Sequence, residues 1–185
     1  MEAELPGASM KAIPRIQLGR YEVDCWYSSP YPDGYEQPKL YLCEHCLKYY
    51  REPGSLARCC TEPASQHPPG EVVYCDGTTR VYEVDGGSQK LYAQCLCLLS
   101  KLFLDHASKF YTTEPYNFYI VAESAEGGAW RIVSYFSKEK AADASCNLAC
   151  ILTLPPYQKQ GLGQFMIAFS YALSRLEGRA GTPER

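Results

Sequence analysis

Apolar and polar residues alternate through "YEVDCWYSS" (21–29), the period of a strand with one covered face, and "PYPDGYEQP" closes it with turn residues. "KLYLCEHC" (39–46) reads as a strand running into a cysteine pair, followed by a loop rich in Pro, Gly and Ser over 52–70. In "RVYEVDGGSQKLYAQ" (80–94) apolar residues alternate on both sides of Asp-Gly-Gly, which predicts a hairpin. "CLCLLSKLFLDH" (95–106) is apolar on nearly every face and predicts a buried helix. "YNFYIVAESAEGGAWRIVSYFS" (116–137) is a second hairpin turning near Glu126-Gly127-Gly128, and 146–154 is a further apolar strand closed by Pro155-Pro156. Over 161–178, Phe165, Met166, Phe169, Leu173 and Leu176 recur at helical spacing, with Gly178 as the stop. Residues 1–12 carry no period and read as a disordered lead-in.

Strands followed by helices, with no repeating βαβ unit and no internal repeat, make this an α+β chain. Its 185 residues suit one domain with a small appendage. A net charge of −3 offers no cationic footprint, so sequence-specific nucleic-acid binding is not expected. An acidic surface tolerates a basic peptide. No charged-then-apolar leader and no apolar run of the roughly eighteen residues that cross a bilayer is present, so no membrane partner is expected. The ten cysteines therefore read as thiols of a reducing compartment: metal ligands, nucleophiles or small core residues rather than disulfides.

Cys43 and Cys46 have the C-x2-C spacing that lets two thiolates converge on one metal from a tight turn. Cys59 lies where further ligands are needed, with Cys60 beside it and His67 beyond, so the fourth ligand is either Cys60 or His67. His45, inside the knuckle, reads as a solvated side chain. Four protein ligands leave no open position for water, which gives such a zinc a structural role.

"QKQGLG" (158–163) joins an apolar strand to the start of a helix. Gly161 and Gly163 let a ligand approach the backbone, and the first amides of a helix have no intrahelical partner. With the helix dipole they form an anion site suited to a pyrophosphate. A nicotinamide fingerprint requires a third glycine where Met166 stands, and an ATP-type loop requires Gly-Lys-Ser/Thr.

Taken in order, "YEVDCWYSSPYP", "LYLCEHCLKYY", "HPPGEVVY", "EPYNFYIVAE", "IVSYFSKEK", "NLACILTLPPYQKQGLG" and "FSYALSRLEGRAGTPE" resemble the catalytic domain of MYST-family lysine acetyltransferases, from about Ile13 to the last residue. The resemblance implies a GNAT-like acetyl-CoA-binding core, a mixed sheet with flanking helices, preceded by a C2HC zinc finger. It divides the chain into 1–12, a zinc-finger segment 13–75 and a core 76–185. It implies acetyl transfer from acetyl-CoA to lysines of histone tails, structural zinc, nuclear residence and partnership with subunits of a chromatin-modifying complex. The acetyl-CoA signature falls on Gln158, Lys159, Gln160, Gly161, Leu162, Gly163 and Gln164, with Ile151 and Thr153 beside the acyl and pantetheine parts. The active-site cysteine falls on Cys150 and the catalytic glutamate on Glu184.

The chain departs from the family at four places. The zinc-ligand histidine falls on Cys59, and the last ligand cysteine falls on Pro63. The self-acetylated lysine falls on Ala107, with Lys109 nearby. Gln160 and Gln164 stand where Arg and Lys are usual. The family's further C-terminal elements have no counterpart after Arg185, so the expectation is a truncated domain whose base sits at its end. The alternative reading is a non-catalytic relative serving as a zinc-stabilised interaction module.

Overall fold

The computed structural model describes residues 13–105, 112–140, 146–178 and 182–183. The predicted lead-in 1–12, Ala107, Lys109 and Glu184 lie outside the described residues.

Two sheets share one hydrophobic core. The first has four strands, β1 (Arg15–Leu18), β2 (Tyr21–Asp24), β3 (Leu40–Leu42) and β4 (Tyr49–Tyr50), in the order β2-β1-β3-β4. The 21–29 strand is shorter than its pattern suggests. After Asp24 the amide of Cys25 turns to the Pro14 carbonyl, and the amides of Trp26 and Tyr27 both donate to the Leu102 carbonyl. Ile16, Leu40, Leu42 and Leu47 are fully buried in this part of the core.

A short helix, α1 (Pro53–Ala57), precedes the second sheet: β5 (Glu71–Cys75), β6 (Thr79–Asp85), β7 (Tyr116–Ser124), β8 (Trp130–Glu139) and β10 (Cys150–Thr153). Its order is β10-β8-β7-β6-β5 and every pairing is antiparallel. This sheet begins at Glu71. The 116–137 hairpin forms as expected, with Gly127 and Gly128 at positive φ in its turn. The apolar strand of 146–154 is divided: β9 (Cys146–Leu148) pairs with β11 (Thr182–Pro183) in a separate two-stranded ribbon.

The 80–94 hairpin does not form. β6 ends at Asp85, and Lys90–Lys101 is a helix, α2. Asp85-Gly86-Gly87 looks like a hairpin turn, but the Asp85 carboxylate accepts from the amides of Gly87 and Ser88, and its carbonyl accepts from Gln89. That turn feeds a helix start. Gly86 is packed so closely that a Cβ there would stand 2.0 Å from the Thr113 carbonyl oxygen.

Lys140 and these two amides hold the Asp85 carboxyl at about 2. A lowered folded-state pKa stabilises above the unfolded value near 3.9 and is lost as pH falls towards 2. Asp85→Asn should therefore lower the melting temperature at pH 6, with the difference from the parent vanishing by about pH 2. Because Asp85 is nearly half exposed, the effect should stay within about 1 kcal/mol.

Alternate strand residues face opposite sides of the sheet. Phe169 of the helix α3 (Leu162–Leu176) packs on Tyr119 and Phe136, while Tyr135, next to Phe136 on β8, faces the other side of the sheet. Met166 is fully buried and Phe165, Phe169 and Leu173 pack against the core. Leu176 is 86% exposed, so the expected apolar stripe ends a turn early. Gly178 stops the helix with φ +67°. Buried Lys138, on β8, reaches Glu177 just past the helix at 2.5 Å. Among the described residues no helix is long and apolar enough to cross a membrane.

Candidate functional site: a cleft on the sheet edge and a thiol cluster

β10 is an edge strand of the five-stranded sheet, and a cleft of about 600 Å3 runs beside it. Ile151, Leu152 and Thr153 of β10 line it, as do Gln158, Lys159, Gly161, Leu162, Gly163 and Gln164 of the turn into α3. The structure thus brings together every residue assigned to the acyl-carrier site except Gln160, which does not line the cleft.

The local fold follows from backbone constraints. Pro155-Pro156 supplies no N–H to continue a ladder, and the chain leaves β10 through one 3-10 turn. Lys159 at φ +62° and Gly161 at φ +85° then redirect it into α3. The Gln158 side chain fastens this turn by donating to the Thr153 carbonyl at 3.1 Å. The first bond of α3 runs from the Phe165 amide to the Gly161 carbonyl, and no side chain caps the helix. The amides of Leu162, Gly163 and Gln164 precede that bond, so helix geometry supplies them no partner. A Cβ on Gly161 or Gly163 would meet open space within 4 Å, and both glycines line the cleft. Donors, dipole and room coincide there, with the Lys159 side chain on the same turn.

Opposite the turn, Trp26, Phe103 and Leu104 complete the lining, with Trp26 edge-on to Phe103 at 5.6 Å. The sequence pattern does not single them out. They converge because the Trp26 amide bonds to the Leu102 carbonyl at the end of α2.

Cys150 is half-buried at the start of β10 and is not part of the cleft lining. Its sulfur lies 3.4 Å from the buried Tyr135 hydroxyl. Burial and the neighbouring thiols of Cys150 and Cys95 push Cys97 up to about 12. Glu184, outside the described residues, has no position to compare with Cys150.

The second constellation is the cysteine knuckle. The sulfurs of Cys43, Cys46, Cys59 and Cys60 all lie within 4.8 Å of one another. Cys59 is 3.4 Å from Cys46 and 3.7 Å from Cys60. Sulfurs at about 2.3 Å from one tetrahedral zinc stand about 3.8 Å apart, so the cluster fits that ion. The amides of Cys46 and His45 point to the Cys43 sulfur, and that of Lys48 to the Cys46 sulfur. The hydrogen bond from Cys43 holds the Cys46 thiol down at about 5 and pushes the Cys43 thiol far up.

Of the two alternatives for a fourth ligand, Cys60 is in the cluster and His67 is not. The left-handed backbone at Cys60, φ +49°, turns its thiol back beside that of Cys59. His67 instead stacks on Tyr82, with ring centroids 5.9 Å apart, and its Nδ1 donates to the Pro68 carbonyl at 2.6 Å. His45 is half-buried rather than solvated, and its Nδ1 donates to the Trp130 carbonyl at 3.1 Å. The knuckle is thereby tied to the start of β8, where the Ile132 amide also reaches the Glu44 carbonyl.

Comparison with known proteins places both constellations in a common setting. The sequence matches the MOZ/SAS family over residues 67–185 and the MYST family zinc finger domain over residues 10–60. It is 50% identical over 177 residues to the MYST-like histone acetyltransferase 1 of Oryza sativa subsp. japonica, covering 95% of this chain and 39% of that protein. It is 49% identical to histone acetyltransferase of the MYST family 1 of Arabidopsis thaliana, covering 95% of this chain and 40% of that protein. Histone acetyltransferase KAT6B of Macaca fascicularis is 48% identical over 92% of this chain, which spans 10% of it. The chain spans about two fifths of the length of the plant relatives. A match to the MYST zinc finger, together with four converging thiols, supports a structural zinc.

Proposed function

This chain belongs to the MOZ/SAS family of MYST histone acetyltransferases, and we propose that its cleft holds acetyl-CoA for transfer of the acetyl group to a lysine ε-amine. The observation that carries this reading is the uncapped, glycine-led start of α3 opening into the cleft beside β10. The amides of Leu162, Gly163 and Gln164 take the pyrophosphate, aided by Lys159. The pantetheine arm lies along Ile151 and Thr153, where an edge strand offers backbone hydrogen bonds to its amides. Trp26, Phe103 and Leu104 give the other wall an apolar surface.

A lysine amine with a pKa of about 10.4 is neutral in only about one molecule per thousand near pH 7.4. Attack on a thioester therefore needs a base at the amine, the role the family resemblance gives to Glu184. The sulfur of Cys150 stands at the tyrosine side of β10, 3.4 Å from the Tyr135 hydroxyl. In this reading it either carries the acetyl group transiently after turning towards the cleft or stands nearby while the group passes directly to the lysine. The substrates are histone tails or other lysine-bearing proteins, met in the nucleus within a chromatin-modifying complex.

Acetyl-CoA at about a hundred times its Kd should raise the melting temperature of the zinc-loaded chain. The linkage is worth about 2.7 kcal/mol, or about 5–10 °C for a chain of this size. An unchanged melting temperature at millimolar acetyl-CoA refutes the assignment and favours an interaction module.

A further inference from the structure

The thiol cluster carries more than a structural ion requires. Its ligand set is all sulfur, and only Cys43 is buried, while Cys46, Cys59 and Cys60 are half-buried and open to small solutes. Within it the sulfurs of Cys46 and Cys59 stand 3.4 Å apart. A disulfide needs its sulfurs about 2.05 Å apart, so closing this pair takes a shift of about 1.4 Å. The adjacent Cys59 and Cys60 are also near, at 3.7 Å, but a bond between neighbouring residues strains the peptide that joins them.

We propose that Cys46 and Cys59 form an oxidation site that releases the zinc: a peroxide-class oxidant joins them as a disulfide. It rests on the zinc reading of the cluster and not on acetyl-CoA binding. Two thiolates give up two electrons and form the S–S bond. The peroxide O–O bond accepts those electrons with two protons from solvent and leaves as two molecules of water. Of the four ligands only the Cys43 and Cys60 sulfurs then remain, too few to hold a tetrahedral zinc against water. The ion departs and those two sulfurs take up protons. Because the knuckle is bonded to β8 through His45 and Glu44, its opening reaches a strand that pairs directly with β10.

The test uses the zinc-loaded chain, with zinc per chain measured first. Hydrogen peroxide is added, zinc release is followed with a chromogenic chelator, and disulfides are mapped by mass spectrometry after acid digestion. The expected result is release of the bound zinc in step with a Cys46–Cys59 linkage. In Cys59→His, an imidazole can still hold zinc but cannot form a disulfide, so release should slow by about tenfold or more. Should that variant fail to fold, the disulfide map of the parent chain decides alone. A zinc-loaded chain that keeps its metal, or loses it with no Cys46–Cys59 bond, overturns this proposal and leaves the zinc reading standing. A chain that takes up no zinc at all overturns both.

Discussion

Gly163→Val should abolish useful acetyl-CoA binding, weakening it about a hundredfold or more, while the protein folds with an unchanged melting temperature. A Cβ at this position would meet no atom within 4 Å beyond its chain neighbours and its own helix's backbone, so the fold leaves room for a side chain. Valine is also a slightly better helix residue than glycine. Yet the branched side chain would stand over the free amides of the first turn of α3, in the space assigned to the pyrophosphate. A hundredfold loss is about 2.7 kcal/mol, the worth of one or two charge-assisted hydrogen bonds. Gly161→Val is the informative contrast. At φ +85° an L side chain is strained by about 1–2 kcal/mol, so this variant should lose both binding and stability. Calorimetric titration and melting curves on the two variants separate a blocked site from a damaged fold. Equal acetyl-CoA affinity in Gly163→Val and the parent would remove this turn from the binding site.

Cys43→Ser should cost the chain its zinc and much of its N-terminal structure. Cys43 is buried, and its carbonyl accepts from the Leu47 amide while its amide donates to the Lys48 carbonyl. Binding of structural zinc in finger peptides is worth about 10–16 kcal/mol, comparable with the whole stability of an ordinary domain. β4 and α1 bury little that could replace it: both residues of β4 are only half-buried and no residue of α1 is buried. Zinc content should fall from one per chain to near zero, with the melting temperature lower by more than about 10 °C. Chelation of the parent chain should reproduce the same loss. Unchanged stability on zinc removal would make the cluster incidental to the fold.

The elements most legible from sequence were those whose pattern reports a local cause. The 116–137 hairpin has long alternating runs meeting at a glycine turn, and α3 has an apolar stripe between glycines at each end. Asp85-Gly86-Gly87 misled because the same residues serve a hairpin turn and a helix entry. Here the Asp85 carboxylate takes the amides of Gly87 and Ser88 and its carbonyl takes that of Gln89, which leads the chain into α2. β1 and β5 were not read from the pattern at all. β1 is a short run paired in parallel with β3, and β5 has every residue exposed, so its pattern holds no buried face. In the candidate site, the glycine turn and its strand were legible because they are contiguous in sequence. Trp26, Phe103 and Leu104 were not, since only tertiary contacts bring them to the cleft. The choice between Cys60 and His67 likewise needed coordinates, because spacing does not reveal a left-handed residue or a ring stacked on Tyr82.

The most direct measurement is the amide nitrogen–proton spectrum of the zinc-loaded chain during an acetyl-CoA titration. The resonances of Leu162, Gly163 and Gln164 should shift first and furthest, followed by those of Ile151 and Thr153. Saturable binding that leaves these amides in place and moves others would contradict the assignment of the α3 N-terminus as the seat of the pyrophosphate.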